Sequence, residues 1–263
     1  MDQWFINPVL AQIGPVKIHW YGVMYAVAFF LGYLYFHRSK HGKSLPLNSD
    51  QKDLFLAYVI GGILLGGRIG YILFYNLPYY LQEPLKIFAV WEGGMSFHGG
   101  LLGVGLAMFL FMKKHKVRFL VLSDVVTAIA PLGLFFGRIG NFINGELYGR
   151  IAPAGHWCLY FPADPLNCRY PSPLFHAALE GFTLFWLLFF IRRHSPKEGV
   201  VTSAFLFFYG LFRIIEEFFR EPDPQIGFLP GGITLGQLLS FGMIIAGLLL
   251  WFAVVNKRKT SKK

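Results

Sequence analysis

The residues best suited to chemistry crowd into one stretch, Gly137 to Gly149, which reads GRIGNFINGELYG. It follows an apolar run, Val125 to Phe136, and sets Arg138, Asn141, Asn144 and Glu146 where that run ends. An arginine at the end of a membrane-length helix must face protein, water or an anion, because hydrocarbon does not solvate a guanidinium. Arg138 and Asn141 are three residues apart, so they share a face if the helix persists that far. A planar guanidinium binds phosphate in bidentate fashion, and an Asn amide adds a donor. The chemistry suggested is capture of an anionic group; the competing reading is a structural Arg138–Glu146 pair. The glycines permit tight turns and close backbone approach, as a binding loop needs.

Other reactive side chains stand apart in sequence. His98 lies in GGMSFHGG, residues 93–100. A neutral imidazole takes up a proton near neutral pH, and flanking glycines let a substrate come close. The alternative is a histidine at a helix start, bonded to backbone or to a neighbouring Glu. Tyr209, Arg213 and Glu217 follow at i, i+4 and i+8, with Glu216 beside them. One face then carries a hydroxyl, a cation and a carboxylate. Either Arg213 and Glu217 neutralise each other at a membrane boundary, or Glu217 orients Arg213 for a third group. Arg68 follows GGILLGG, in which Gly62 and Gly66 form a small-xxx-small pattern that lets helices pack closely. It either snorkels to headgroups or joins the site. Cys158 and Cys168 share one polar loop, as a disulfide or as two thiols. No CxxC or HExxH metal-ligand spacing occurs.

These groups need elements to hold them, and composition says which kind. The 263 residues are 55% hydrophobic and only 14% charged, against about 25% charged in a soluble domain. That is the composition of a polytopic membrane protein. The net charge of +10 invites a nucleic-acid reading, but the basic residues sit in short clusters between apolar runs rather than on one face. No cleavable signal peptide is expected, because residues 1–16 carry Asp2 and no basic n-region. A spanning helix needs about 20 mostly apolar residues. Seven stretches qualify: 19–36, 54–75, 95–112, 121–139, 174–191, 200–218 and 233–255. The expected fold is an all-α polytopic membrane protein, one integral-membrane domain over 1–263.

Loop charges orient it. Sixteen of the 24 Lys and Arg fall in alternate loops and the C-terminal tail, at positions 38–52, 113–118, 192–197 and 257–263. The opposite set holds Lys17, Lys86, Arg150, Arg169 and Arg220. The positive-inside rule then puts the N-terminus outside and the C-terminus in the cytoplasm. Arg68, Arg138 and Arg213, the basic residues inside spans, all fall in the outer half, with His98 and Tyr21 at the same level. The long outer loop, 144–173, holds both cysteines and five prolines; its length favours a small structured cap or lid. The aromatic-rich stretch 76–94 suits the outer interface.

GRIGNFINGELYG resembles the signature of the bacterial prolipoprotein diacylglyceryl transferase family. The resemblance extends through KIHWYGVMY (17–25), GGMSFHGG (93–100), FYGLFRIIEEFFREPD (208–223) and GGITLGQ (231–237), in the family's order and over essentially the whole chain. It implies an enzyme of the bacterial cytoplasmic (inner) membrane with its site toward the outer leaflet. Such an enzyme moves the diacylglyceryl group of phosphatidylglycerol onto the lipobox cysteine thiol of a prolipoprotein signal peptide, so that a thioether forms and glycerol phosphate leaves. It implies no cofactor, no metal and no nucleic-acid partner. Carried over by position, the catalytic set is His98, Arg138, Arg213, Tyr209 and Glu217. The phosphatidylglycerol-binding set is Arg138, Asn141, Glu146, Gly149 and Tyr21. His98 would be the base for the thiol or a positioner of the lipid. The rival reading is a transporter or flippase for anionic lipids, which should place polar groups at the midplane and often shows inverted repeats; neither is present. An intramembrane protease would need paired membrane aspartates, GxSxG or HExxH, and none occurs.

Overall fold

Glycine stripes and helix caps explain most of the architecture in a computed structural model of the chain, which describes residues 6–14, 16–89, 93–195, 197–221 and 228–260, without the side chains of Val16 and 256–260. Asp2, Val90 to Glu92 of the interfacial stretch, Pro222 and Asp223, and Lys262 and Lys263 of the basic tail lie outside the described residues, as do the side chains of Lys257, Arg258 and Lys259. The chain falls into two compact units: one of residues 36–123, the other of 1–35 with 124–263. The boundaries fall inside α1 (Trp20–Arg38) and α6 (Phe119–Ile143).

In the 36–123 unit, a short α2 (Lys40–Lys43) precedes α3 (Ser49–Tyr75). α3 opens with a reciprocal cap, Asn48 Oδ1 accepting from the Gln51 amide and Gln51 Oε1 from that of Asn48. After α4 (Leu77–Gln82) and a 3-10 turn (Pro84–Phe88), α5 (Phe97–His115) packs back on α3. The contact is made by small residues: a Cβ on Gly62, Gly66 or Gly70 would run into the backbone of Gly99 or Gly103. The GGILLGG pattern is thus a packing seam, and it is longer than the two glycines read from sequence.

The larger unit begins with a hairpin of β1 (Val9–Ile13) and β2 (Val16–His19), which leads straight into α1. Gly137 and Gly140 of α6 leave room for the Tyr25 and Tyr21 rings of α1. A second hairpin, β3 (Leu159–Phe161) with β4 (Asp164–Arg169), lies in the 144–173 segment. It carries the Cys158–Cys168 disulfide, which answers the question left by the sequence. The stretch Ser172–His194 is one continuous helix in three parts: α7 (Ser172–His176), a π-helical segment (Ala177–Thr183) and α8 (Leu184–His194). α9 (Val200–Glu217) starts at Gly199, which has no side chain to cap it. Asp124, buried on α6, does the capping instead: it accepts from the Gly199 amide, the Thr202 amide and Thr202 Oγ1 at 2.7–2.8 Å. α10 (Leu235–Thr260) opens with its own reciprocal cap, Thr234 with Gln237, which accounts for the TLGQ part of GGITLGQ. It packs on α9 through Gly210 and Gly247. Leu184, Leu188, Val201, Ala128 and Ala204 form the buried core between α6, α8 and α9.

Each of the seven stretches read as spans is helical over most of its length, although His19 belongs to β2 and the helices of the third and seventh begin only at Phe97 and Leu235. Among the described residues, four helical stretches, Ser49–Tyr75, Phe119–Ile143, Ser172–His194 and Leu235–Val255, are long and apolar enough to cross a membrane. The other three are shorter, at 18 or 19 residues, and include polar ends: His37 and Arg38 in α1, Lys113, Lys114 and His115 in α5, and Arg213, Glu216 and Glu217 in α9.

Candidate functional site

α6 stays helical to Ile143, so Arg138 and Asn141 do share a face. Their partners differ from the structural pairing considered above. Arg138 faces Glu180, with Nη2 to Oε2 at 3.6 Å. Glu146 instead gathers the amides of Asn141 (2.8 Å) and Asn144 (3.3 Å) on one oxygen. The Glu146 backbone N–H donates to the Asn141 carbonyl, so GRIGNFINGELYG closes on itself. Gly145 and Leu147 take left-handed conformations in that turn. Such backbone is cheap for glycine and strained for leucine. Tyr21 packs its ring on Gly140, bonds Tyr25 through the hydroxyls at 3.3 Å, and brings its oxygen to Asn141.

Gly149 closes the stretch for a steric reason. Its N–H donates to the Tyr170 carbonyl at 2.8 Å, and a Cβ there would strike the Phe219 and Tyr170 carbonyl oxygens. Arg150 then caps the end of α9, donating to the carbonyls of Glu217 and Arg220. The loop and the end of α9 are therefore tied together, and this brings α6 and α9 into one site.

α9 contributes Arg213, which is almost fully engaged. Nη2 meets Glu217 at 3.2 Å, while Nη1 meets His176 Nδ1 at 3.1 Å and Glu180 Oε1 at 3.7 Å. Glu217 is buried between Arg213, Arg220 at 3.4 Å and the first turn of α10 at Gly236. Tyr209 stacks on Phe205 and lies in the field of Glu180, Arg138 and Arg213. The two arginines singled out from sequence thus flank one carboxylate, Glu180, from two helices.

Three members of this cluster were missed or undervalued. His176 and Glu180 were not found, and Glu216 was noted only as a neighbour. All three are buried, and His176 Nδ1 lies 2.7 Å from Glu216 and 3.3 Å from Glu180. The available signal was LFHAALE: a His and a Glu four apart inside an apolar span. Two features place them. The π-helical turn carries Glu180, and a Cβ on Gly181 would collide with Phe135, so that turn lies hard against α6. π-Turns interrupt α-helices most often at functional sites. The donor atoms of His176, Glu180 and Glu216 lie within 4.8 Å of one another, close enough to suit a cation. Two guanidiniums already stand 3.6–3.7 Å from Glu180, so arginine supplies the positive charge there.

His98 and Arg68 belong to the 36–123 unit. His98 is exposed in the first turn of α5, which Ser96 caps by accepting from the Gly99 amide. Gly93 and Gly94 turn with positive φ just before it. Arg68 is buried and spends its guanidinium on the carbonyls of Lys86, Ile87, Ala89, Gly93 and Gly94, with Tyr80 beneath it at 5.1 Å. It is a bracket for the stretch before α5, neither of the roles weighed from sequence.

In the 144–173 segment, Arg169 pairs with Asp164 and Glu221 and lies over the Tyr148 ring. The hydrogen bond from Arg169, helped by one from Asn167, holds the Asp164 carboxyl below its ordinary range.

Against known proteins, residues 8–253 match the family model described as prolipoprotein diacylglyceryl transferase. The chain is 49% identical to the phosphatidylglycerol–prolipoprotein diacylglyceryl transferase of Azospirillum brasilense, over 97% of this chain and 96% of that one. It is 49% identical to the enzyme of that name from Geobacter sulfurreducens, over 97% of each. The one from Rickettsia bellii is 46% identical, over 93% of this chain and 94% of its own.

Proposed function

The chain belongs to the prolipoprotein diacylglyceryl transferase family, and from that premise we infer that it transfers the diacylglyceryl group of phosphatidylglycerol to a prolipoprotein thiol. The acceptor is the lipobox cysteine of the signal peptide; a thioether forms and glycerol phosphate leaves. The observation that carries the chemistry is the pair of arginines, Arg138 and Arg213, converging on one point in the larger unit. As the glycerol C–O bond breaks, the phosphate goes from one negative charge toward two. Groups that hold the extra charge lower the barrier, because they bind the transition state better than the ground state. Arg138 is the more available of the two. Among the described residues its only ion pair is the 3.6 Å contact with Glu180, and its side chain keeps 22% of its surface. Asn141, held by Glu146, adds a donor on the same face. Tyr21 sets its hydroxyl beside Asn141, Tyr209 lies in the field of both arginines, and Gly149 and Glu217 keep the loop and α9 in register.

The nucleophile is a thiol with a free pKa of about 8.5, so a thiolate must be generated or stabilised. His98 is assigned either to that proton or to positioning the lipid. Seven helices span the inner membrane in this reading, with the N-terminus outside and the site facing the outer leaflet. The chain is one integral-membrane domain, and residues 144–173 form its extracytoplasmic cap. The relatives' names lend nothing to an anionic-lipid transporter. The test is to incubate purified protein with phosphatidylglycerol and a lipobox peptide and to look by mass spectrometry for a diacylglyceryl adduct on the cysteine. An unmodified peptide after prolonged incubation with folded protein would refute the assignment.

A further inference from the structure

We propose that Glu180 is a resident counter-anion: it occupies the arginine pair until the lipid phosphate arrives, and it takes up a proton when displaced. This rests on the functional reading above and adds a specificity-determining residue to it. Glu180 is completely buried, yet neither carboxylate oxygen completes a well-aligned hydrogen bond with a described residue. Instead it bridges the guanidiniums, Oε2 toward Arg138 at 3.6 Å and Oε1 toward Arg213 at 3.7 Å. Both distances exceed the 2.7–2.9 Å or so of a settled charge-assisted bond. A carboxylate bridging two arginines from two helices is spaced as a phosphate oxygen pair would be. Its grip is loose enough to be exchanged.

The rest of the pocket fixes what exchange requires. Facing Glu180 are Arg138 from α6, His176 from α7, and Tyr209, Arg213 and Glu216 from α9. Arg213 is also held by Glu217, which Arg220 shares. Glu216 lies 2.7 Å from His176 Nδ1. When a phosphodiester takes the guanidiniums, Glu180 keeps His176, at 3.3 Å, and has the Glu216 carboxyl, a second acidic group, beside it. A buried carboxylate stripped of its counter-charge becomes protonated rather than remain charged. The proton goes to a Glu180 oxygen and the phosphate keeps its single negative charge, so charge in the pocket is conserved. Only an anion can make this exchange, because a neutral headgroup offers the arginines nothing in place of Glu180.

Calorimetric titration with short-chain phosphatidylglycerol, in two buffers that differ in ionisation heat, counts the protons. The wild-type protein is expected to take up about one proton per lipid bound, and Glu180→Gln none, because the amide cannot titrate. Glu180→Gln should also bind about tenfold or more tightly, since the competing charge is gone. Equal or weaker binding by Glu180→Gln would show Glu180 to be a strut that positions the arginines, and would overturn the proposal. An infrared difference spectrum of the wild-type protein, with and without phosphatidylglycerol, tests it without any variant. A new protonated-carboxyl band is expected, and its absence on binding would equally overturn it. Wild-type protein that binds and transfers without proton uptake sinks only this inference. Protein that makes no adduct at all sinks the functional reading.

Discussion

Replacing Arg213 with lysine keeps the charge and removes the fork. In the structure two guanidinium nitrogens serve three partners in different directions: Glu217 at 3.2 Å on one side, His176 at 3.1 Å and Glu180 at 3.7 Å on the other. A single ammonium nitrogen reaches about one of the two carboxylates. The other is left buried, and both are essentially without solvent, at 2% and 0% exposure. Losing one hydrogen bond to a buried charged group costs about 1.5–3 kcal/mol, so thermal stability should fall by that order. The phosphate loses the same planar contact in the transition state. If about 3 kcal/mol of that stabilisation goes, transfer slows on the order of a hundredfold. The assay is the initial rate of peptide lipidation in phosphatidylglycerol-containing micelles, alongside a melting curve of the same preparation. A slow enzyme with only a modest loss of stability supports a role at the phosphate. An Arg213→Lys enzyme within about threefold of the wild-type rate would refute it and leave Arg213 as a structural partner of Glu217.

Arg138→Ala should lose nearly all transfer while the protein still inserts and folds, because the one ion pair of Arg138 among the described residues is the 3.6 Å contact with Glu180; near-normal activity in folded protein would remove Arg138 from the mechanism. His98→Gln separates base from positioner through the pH–rate profile. An acidic limb that survives the change unaltered excludes His98 as the base, and one that disappears assigns it the proton. In the 144–173 segment, the depressed Asp164 carboxyl contributes stability that is complete above its unfolded value, near 4, and drains away as pH falls through the lower folded value. Protease cleavage of that segment should therefore rise only in strong acid. Joint Cys158→Ser and Cys168→Ser substitution should make it rise at neutral pH too, because removing a disulfide that closes a loop of this length costs roughly 2–3 kcal/mol.

Much of this was legible in the chain before any fold was drawn. Apolar runs of membrane length named seven helices, because hydrocarbon-facing segments must be long and apolar whatever they pack against. The arginines of α6 and α9 stood out for the same reason, since a charge in such a run needs a partner. Sequence also marked Gly62 and Gly66 as a packing seam, and the spacing of Arg213 and Glu217 as a possible pair. What the runs could not say was which partner each charge takes. Arg138 turns to Glu180 rather than Glu146 because a π-turn and Gly181 press that part of the chain against α6, and neither has a mark in a linear pattern. Arg68 looked like a membrane cation and proved to be a clamp on five carbonyls, a role set by a chain reversal 18 or more residues downstream. Buried His176 and Glu180 passed as ordinary members of an apolar helix until the neighbouring helices surrounded them. Residue type alone decides which groups cannot face lipid; only packing decides which of them meet.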